Sequence, residues 1–236
     1  MTKPVDPSRT LETIVKKHAR SSDPEFLVIC CIADTHLLHW DVELPPGDLL
    51  IHAGDLCHMG GNVRALADVN DWLGRQSFEC TVCVPGNHDA ILETNPAARR
   101  ILTNAEVLIN QGIEFKGLRI WGSPVTIPSG GAFGVSLPED RRRVFSGIPT
   151  DTDVLISHGP PFGILDSAPD WDFHAGDPEL LRAIQRLSLK LHVWGHIHAA
   201  HGVDASGKTV YVNAAMLGED GGIGWQPIVL RLPRVR

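Results

Sequence analysis

What most constrains this chain is a recurrence: five short apolar runs, each ending in a cluster of Asp, His, Asn and Gly. Residues 26–33 run into Asp34-Thr35-His36, and residues 49–53 into Gly54-Asp55. Residues 81–85 lead to Gly86-Asn87-His88-Asp89, residues 154–157 to His158-Gly159, and residues 191–194 to Gly195-His196-Ile197-His198. Short apolar runs bounded by turn residues read as buried strands. In α/β sheets, ligands sit beyond the carboxyl ends of the strands. All five clusters are therefore expected to meet in one place. One such cluster is more often a turn; five in series mark a site.

The segments between these runs complete an α/β pattern. Val63, Leu66, Ala67 and Leu73 recur at helical spacing behind the N-cap candidate Asn62, which predicts a helix over 63–73. A charged helix is expected from about 139 to 145. Another starts at the N-cap Asp177, with Pro178 at its first position, and reaches about Leu187. Further strands are expected over 106–110, 113–115, 118–121, 210–212 and 228–230. Residues 122–137 read as a loop crossing the surface, and residues 160–177 as a second long loop. With no repeat or linker, the expected organisation is an N-terminal extension over 1–24, partly helical or flexible, and one domain over 25–236.

Composition narrows the function. Hydrophobic residues make up 43% of the chain, enough for a sizeable core. The formal net charge of -7 argues against a protein that holds nucleic acid, which needs a clustered basic surface. The densest basic run, Arg141-Arg142-Arg143, follows Glu139 and Asp140 and reads as a solvated helix face. No apolar run is long enough for a membrane span, and the polar N-terminus lacks a signal-peptide core. Five scattered cysteines imply no disulfide framework, so a reducing cytoplasm is expected. Cys80 and Cys83 lie three apart on a strand and should face opposite sides, which favours a structural role over a redox or zinc pair.

The residue types at the strand ends point to metal chemistry. Carboxylate, imidazole and amide oxygen together suit borderline divalent ions such as manganese, iron or zinc. Alternate residues of a strand point the same way, so the spacings of Asp34 with His36 and of His196 with His198 let both side chains face one ion. Two ions about 3.5–4 Å apart can share a carboxylate, hold a bridging hydroxide and steady attacking and leaving oxygens. An anionic phosphate ester, attacked in line, is the natural target.

In this order, the blocks Asp-x-His, Gly-Asp, Gly-Asn-His-Asp, a lone His and Gly-His-x-His resemble the calcineurin-like metallophosphoesterases. The finer match is to the metallophosphoesterase-domain-containing (MPPED) phosphodiesterase branch. It is carried by Leu49-Leu50-Ile51-His52-Ala53-Gly54-Asp55, His158-Gly159-Pro160-Pro161-Phe162-Gly163, Leu191-His192-Val193-Trp194 with the following Gly-His-Ile-His, and Tyr211-Val212-Asn213-Ala214. The resemblance implies a four-layer α/β/β/α sandwich of two mixed sheets flanked by helices. It implies two divalent or mixed-valence ions: one on Asp34, His36, Asp55 and His198, the other on Asp55, Asn87, His158 and His196. It places His88 over the substrate phosphate, either stabilising charge or protonating the leaving oxygen, with Asp89 orienting it. Leu56-Cys57-His58 follows Asp55 where protein phosphatases of the superfamily carry Tyr-Val-Asp-Arg-Gly, which counts against that branch.

The expected activity is therefore a phosphodiesterase that attacks small diesters, cyclic nucleotides among them, through the bridging hydroxide. The partner is a small phosphate ester, with a nucleotide as one candidate. The oligomeric state is open, a homodimer being one option. His58 stands either at the rim or against substrate. Phe162 and Trp171, on the long loop after His158, are candidate substrate contacts, because aromatics beside a metal site can stack on a ring. A non-catalytic scaffold should have lost ligands, and none is missing. A nuclease is disfavoured by the acidic balance.

Overall fold

The computed structural model describes residues 25–218 and 220–233, so the 1–24 extension lies outside the described residues. Its strands are β1 Phe26–Ile32, β2 Leu49–His52, β3 Cys80–Cys83, β4 Glu106–Val107, β5 Gln111–Phe115, β6 Leu118–Ser123, β7 Val154–Ser157, β8 Leu191–Trp194, β9 Gly202–Asp204, β10 Val210–Asn213 and β11 Ile228–Pro233. Its α-helices are α1 Val63–Leu73, α2 Ala90–Thr94, α3 Pro138–Ser146 and α4 Pro178–Ile184. One sheet has the order β11-β1-β2-β3-β4, the other β5-β6-β7-β8-β10-β9. Within them β1, β2, β3 and β4 are parallel, as are β6, β7, β8 and β10, while β11, β5 and β9 pair antiparallel at the edges.

Alternation along the strands builds the layers. On β1, Leu27, Ile29 and Cys31 point into the space between the sheets, where they join Ile51, Val82, Ile120, Ile156, Val193 and Val212. Their neighbours Cys30 and Ile32 point outward and pack with Leu66, Val69 and Trp72 of α1. On the far side, Leu155 packs with Phe145 of α3 and Leu180 and Ile184 of α4. The result is helix, sheet, sheet, helix. Strands buried on both faces read as continuous apolar runs, which is why the sequence shows them so plainly.

Local signals hold where they are chemical. Asn62 caps α1 by accepting from Ala65 N–H at 3.0 Å, and Asp177 caps α4 by accepting from Glu179 N–H at 2.8 Å. Helix α4 ends at Ile184, short of the expected Leu187, and β4 keeps only two of the five residues expected there. The short α2 and the edge strand β9 had no sequence signal. Cys80 packs toward the inter-sheet core while Cys83 joins the outer cluster, so the two sulfurs diverge; all five cysteines are free.

The basic run is not wholly a solvated helix face. Arg141 is buried, not solvated: its Nε meets Asp177 Oδ2 at 2.8 Å and its Nη1 reaches the carbonyls of Val135 and Ser136 at 2.7 and 2.9 Å. It ties α3 to the start of α4, and only its neighbours face outward.

Candidate metal centre and active site

The parallel strands deliver their carboxyl ends to one edge, and cross-sheet hydrogen bonds lock that edge together. Asp34, after β1, accepts from His196 N–H, after β8, at 2.9 Å. His158, after β7, donates from Nδ1 to the Ala53 carbonyl, after β2, at 3.0 Å. An Ala33–Ala215 bridge and the bond from Met216 N–H to Ala33 O at 2.9 Å join β10 to β1 on the same side. The turns are tight. Asp34, His36, Asp55 and His196 all have positive φ, between 42° and 68°, a region that costs a non-glycine residue about 1–3 kcal/mol. Strain held at four clustered polar residues is typical of a site whose geometry matters more than its local stability.

Two glycines permit the close approach. A Cβ on Gly195 would collide with the Asp34 carboxylate, and one on Gly86 with that of Asp55. Only a residue without a side chain fits either place.

The donors fall into two adjoining sets. Asp34, His36 and His198 bring ligand atoms within 4.8 Å of one another, and so do Asp55, His158 and His196. Asp55 Oδ2 joins the sets, lying 3.4 Å from His158 Nε2 and 3.6 Å from His36 Nε2, while Oδ1 accepts from His88 N–H at 2.8 Å. His196 Nδ1 and Asn87 Oδ1 approach His158 Nε2 at 3.2 and 2.9 Å. Asn87 Oδ1 is aimed there by its amide nitrogen, which donates to the Gly130 carbonyl at 2.9 Å.

These groups fit a pair of cations. The buried atoms Asp34 Oδ1, His36 Nδ1 and His36 Nε2 have no hydrogen-bond partner among the described residues. Orphaned buried polar atoms are rare and costly unless something charged satisfies them. His158 Nδ1 is engaged by a backbone carbonyl, an arrangement that leaves Nε2 as the ligand atom.

The protein's own charges show the same need. Burial works against the Asp55 carboxylate, yet the imidazoles of His158 and His36 and the His88 N–H outweigh it and hold its pKa well below the usual range. Burial likewise opposes a charged His158, but Asp55, Asp34 and the Ala53 carbonyl take its pKa up to about 9. Burial and the neighbouring His158 push His196 down to about 4.

A third set, His36, His58 and His88, flanks the first. The His58 ring lies nearly parallel to that of His88, centroids 6.1 Å apart, so His58 stands at the rim beside His88. His88 Nε2 is 4.0 Å from Asp55 Oδ2, and its Nδ1 accepts from Met59 N–H at 3.3 Å.

Asp89 does not orient the His88 ring. Its buried carboxylate accepts from the N–H groups of Gly86 at 2.8 Å, Cys57 at 2.8 Å and Leu56 at 3.2 Å. It pins the loop after β2 to the loop after β3, and burial together with nearby Asp55 raises its pKa to about 7. His52 and His192 are packed residues behind the site, bonded at 2.9 Å to Thr35 Oγ1 and Ser157 Oγ.

The two long loops frame a cavity of about 290 Å³ beside His196. Trp171 lines it; Phe162 does not, its ring lying against His174 at 5.1 Å. Phe173 takes the place expected of Phe162. Residues 122–137 do more than cross the surface: Thr126 and Ser129 line the cavity, and Ala132 N–H bonds the Asn87 carbonyl at 2.8 Å. Their Gly, Pro and Ser content signalled a loop, but nothing local signalled its partner.

Two facing sheets with this donor set at their shared edge define the class: a metal-dependent phosphoesterase with a dinuclear metal centre. The chain belongs to the calcineurin-like phosphoesterase family, whose model matches residues 9–200. It is 32% identical to metallophosphoesterase domain-containing protein 1 of Homo sapiens, over 93% of this chain and 75% of that protein. It is also 32% identical to the UPF0046 protein K07C11.7 of Caenorhabditis elegans, over 89% of this chain and 76% of that one. Among solved structures, TT1561 of Thermus thermophilus shares the fold, with a TM-score of 0.58 at 14% identity, covering 80% of this chain and 88% of that one. A dimetal phosphatase from Danio rerio aligns with a TM-score of 0.50 at 13% identity, covering 89% and 97%.

Proposed function

We propose that this protein is a phosphodiesterase of small diesters, cyclic nucleotides among them, with Asp55 as the carboxylate shared between two ions. The carrying observation is the position of Asp55 Oδ2, within 3.6 Å of a donor nitrogen from each set. In this reading Asp34, His36 and His198 hold one ion, and Asn87, His158 and His196 the other. Manganese, iron or zinc suits that mixture of oxygen and nitrogen donors. When bound, such a pair would supply Lewis acidity and lower the pKa of a water toward neutrality.

The remaining work belongs to side chains. His88 is tied to Asp55 through its backbone N–H, which keeps its ring beside the metal sets. Its Nδ1 accepts from Met59 N–H, so the proton sits on Nε2, the atom facing Asp55. From there the Nε2–H donates a hydrogen bond to the leaving oxygen and shares its proton as negative charge develops there, without the ring having to end as a free imidazolate. Asp89 holds the Asp55 and Asn87 loops in register. The five free cysteines fit a cytoplasmic setting.

A panel of diesters, monoesters and cyclic nucleotides, assayed with protein loaded separately with manganese, iron or zinc, tests the reading. Faster turnover of diesters than of matched monoesters supports it; the reverse order removes the diesterase assignment.

A further inference from the structure

The cavity beside His196 is built unlike the metal centre it adjoins. Its walls are largely apolar, with Ile127, Leu180, Ile197, Trp171 and Phe173 contributing, and among the described residues no Lys or Arg lines it. Among the described residues the one carboxylate in the lining, Asp177, is committed elsewhere, to the buried Arg141 and to Glu179 N–H. Trp171 and Phe173 are stacked, ring centroids 4.8 Å apart and planes within 10°. Both remain partly open to solvent, at 39% and 55% exposure. Two large flat rings left open beside a reactive centre are surface that calls for a partner.

The segment that carries them is braced. Phe162 N–H bonds Asp177 O at 3.2 Å, and Asp177 N–H bonds Pro160 O at 2.9 Å, which closes the loop at its base. Inside it, the buried Asp166 accepts from Gly163 N–H at 2.8 Å, from Gly176 N–H at 2.9 Å and from His174 Nδ1 at 2.7 Å. Trp171 N–H bonds Ala168 O at 3.0 Å. A braced loop holds its rings in place before a ligand arrives, and that lowers the ordering cost of binding.

We infer that this cavity seats a flat, uncharged ring, such as a nucleobase, carried by the substrate as one ester substituent and stacked against the Trp171–Phe173 platform. The inference rests on the phosphoesterase reading, since it sets the phosphate at the metal centre next to His196. With no Lys or Arg among the described residues of its walls, the cavity suits an uncharged group better than a second phosphate or a carboxylate. Thr126 and Ser129 supply hydroxyls at its edge for the polar rim of a heterocycle. Its volume, at the small end of ligand pockets, suits one ring system and not a polymer.

Calorimetry on metal-loaded protein tests this with thymidine 5′-monophosphate against 2-deoxyribose 5-phosphate, which share phosphate and sugar and differ in the base. Wild type should bind the nucleotide about five- to a hundredfold tighter, the usual worth of one base–aromatic stack. Trp171→Ala should bring that ratio close to one, and Trp171→Phe should restore much of it. Equal affinities in wild type, or a ratio unchanged in Trp171→Ala, overturn the ring seat. Hydrolysis of diethyl phosphate and of thymidine 5′-(ethyl phosphate), which both release ethanol and of which only the second carries a ring system, separates the two readings. Turnover of both with no ring preference removes only the ring seat. A ring preference in binding without any turnover removes the diesterase and leaves the seat.

Discussion

His158 Nε2 and His196 Nδ1 face each other at 3.2 Å, with Asn87 Oδ1 2.9 Å from the same His158 nitrogen. Three lone-pair atoms converging on one spot repel unless a proton or a cation sits among them. In metal-free protein the proton on His158 does so, because the buried ring's pKa is raised to about 9 against the pull of desolvation by Asp55, Asp34 and the Ala53 carbonyl. A bound cation must displace that proton.

Metal binding at pH 7 should therefore release about one proton at this site, and apparent affinity should rise with pH until about 9. In metal-free protein, the His158 contribution to stability is complete below about 6.5 and is lost as pH rises through about 9. Metal-loaded protein should not show that loss. Calorimetry in two buffers of different ionisation enthalpy counts the protons, and melting curves from pH 6 to 10 test the second part. Affinity that falls as pH rises from 6 to 9 would contradict the displacement.

Asp55→Ala should strip more metal than His36→Ala or His158→Ala, because the shared carboxylate reaches both donor sets while each imidazole serves one. The expected result is loss of both ions in the first variant and partial loss in the other two. Elemental analysis of the purified proteins reads it directly. Two ions retained in Asp55→Ala would remove the residue from the shared role.

His88→Ala should keep its metals and lose about 10²–10⁴-fold in rate, the usual range for a general acid. The loss should be far larger on alkyl diesters than on nitrophenyl diesters, whose leaving group departs readily as an anion. Equal losses on both substrates would mean that His88 stabilises charge on the phosphate instead of donating a proton.

Asp89→Asn should act on the framework. An amide has one acceptor oxygen where the carboxylate serves three buried N–H groups, so at least one of Gly86, Leu56 and Cys57 is left unsatisfied. The expected cost is about 1–3 kcal/mol of stability, together with weaker metal binding, since the loops of Asp55 and Asn87 lose their shared pin. Denaturant midpoints with and without metal measure both effects. An unchanged midpoint would show that the carboxylate is dispensable.

The sequence by itself determined the parts whose physics is local. Buried strands announce themselves as apolar runs, caps such as Asn62 and Asp177 by the chemistry of their side chains, and a metal centre by His, Asp and Asn recurring at strand ends. It placed the donors on five different strands and could pair them only by assuming that the strands run parallel.

What the tertiary structure decided are contacts between segments far apart in the chain. Arg141 reads as a surface charge until α4 presents Asp177 to it. Asp89 reads as a partner for its neighbour His88 until three backbone N–H groups from two loops converge on it instead. Phe162 and Phe173 are equally aromatic on one loop, yet only the second faces the cavity, because Asp166 gathers Gly163, His174 and Gly176 and so sets the path of the chain between them. A residue's type states what it can bind; which of its possible partners it meets depends on long-range packing, and no local pattern carries that information.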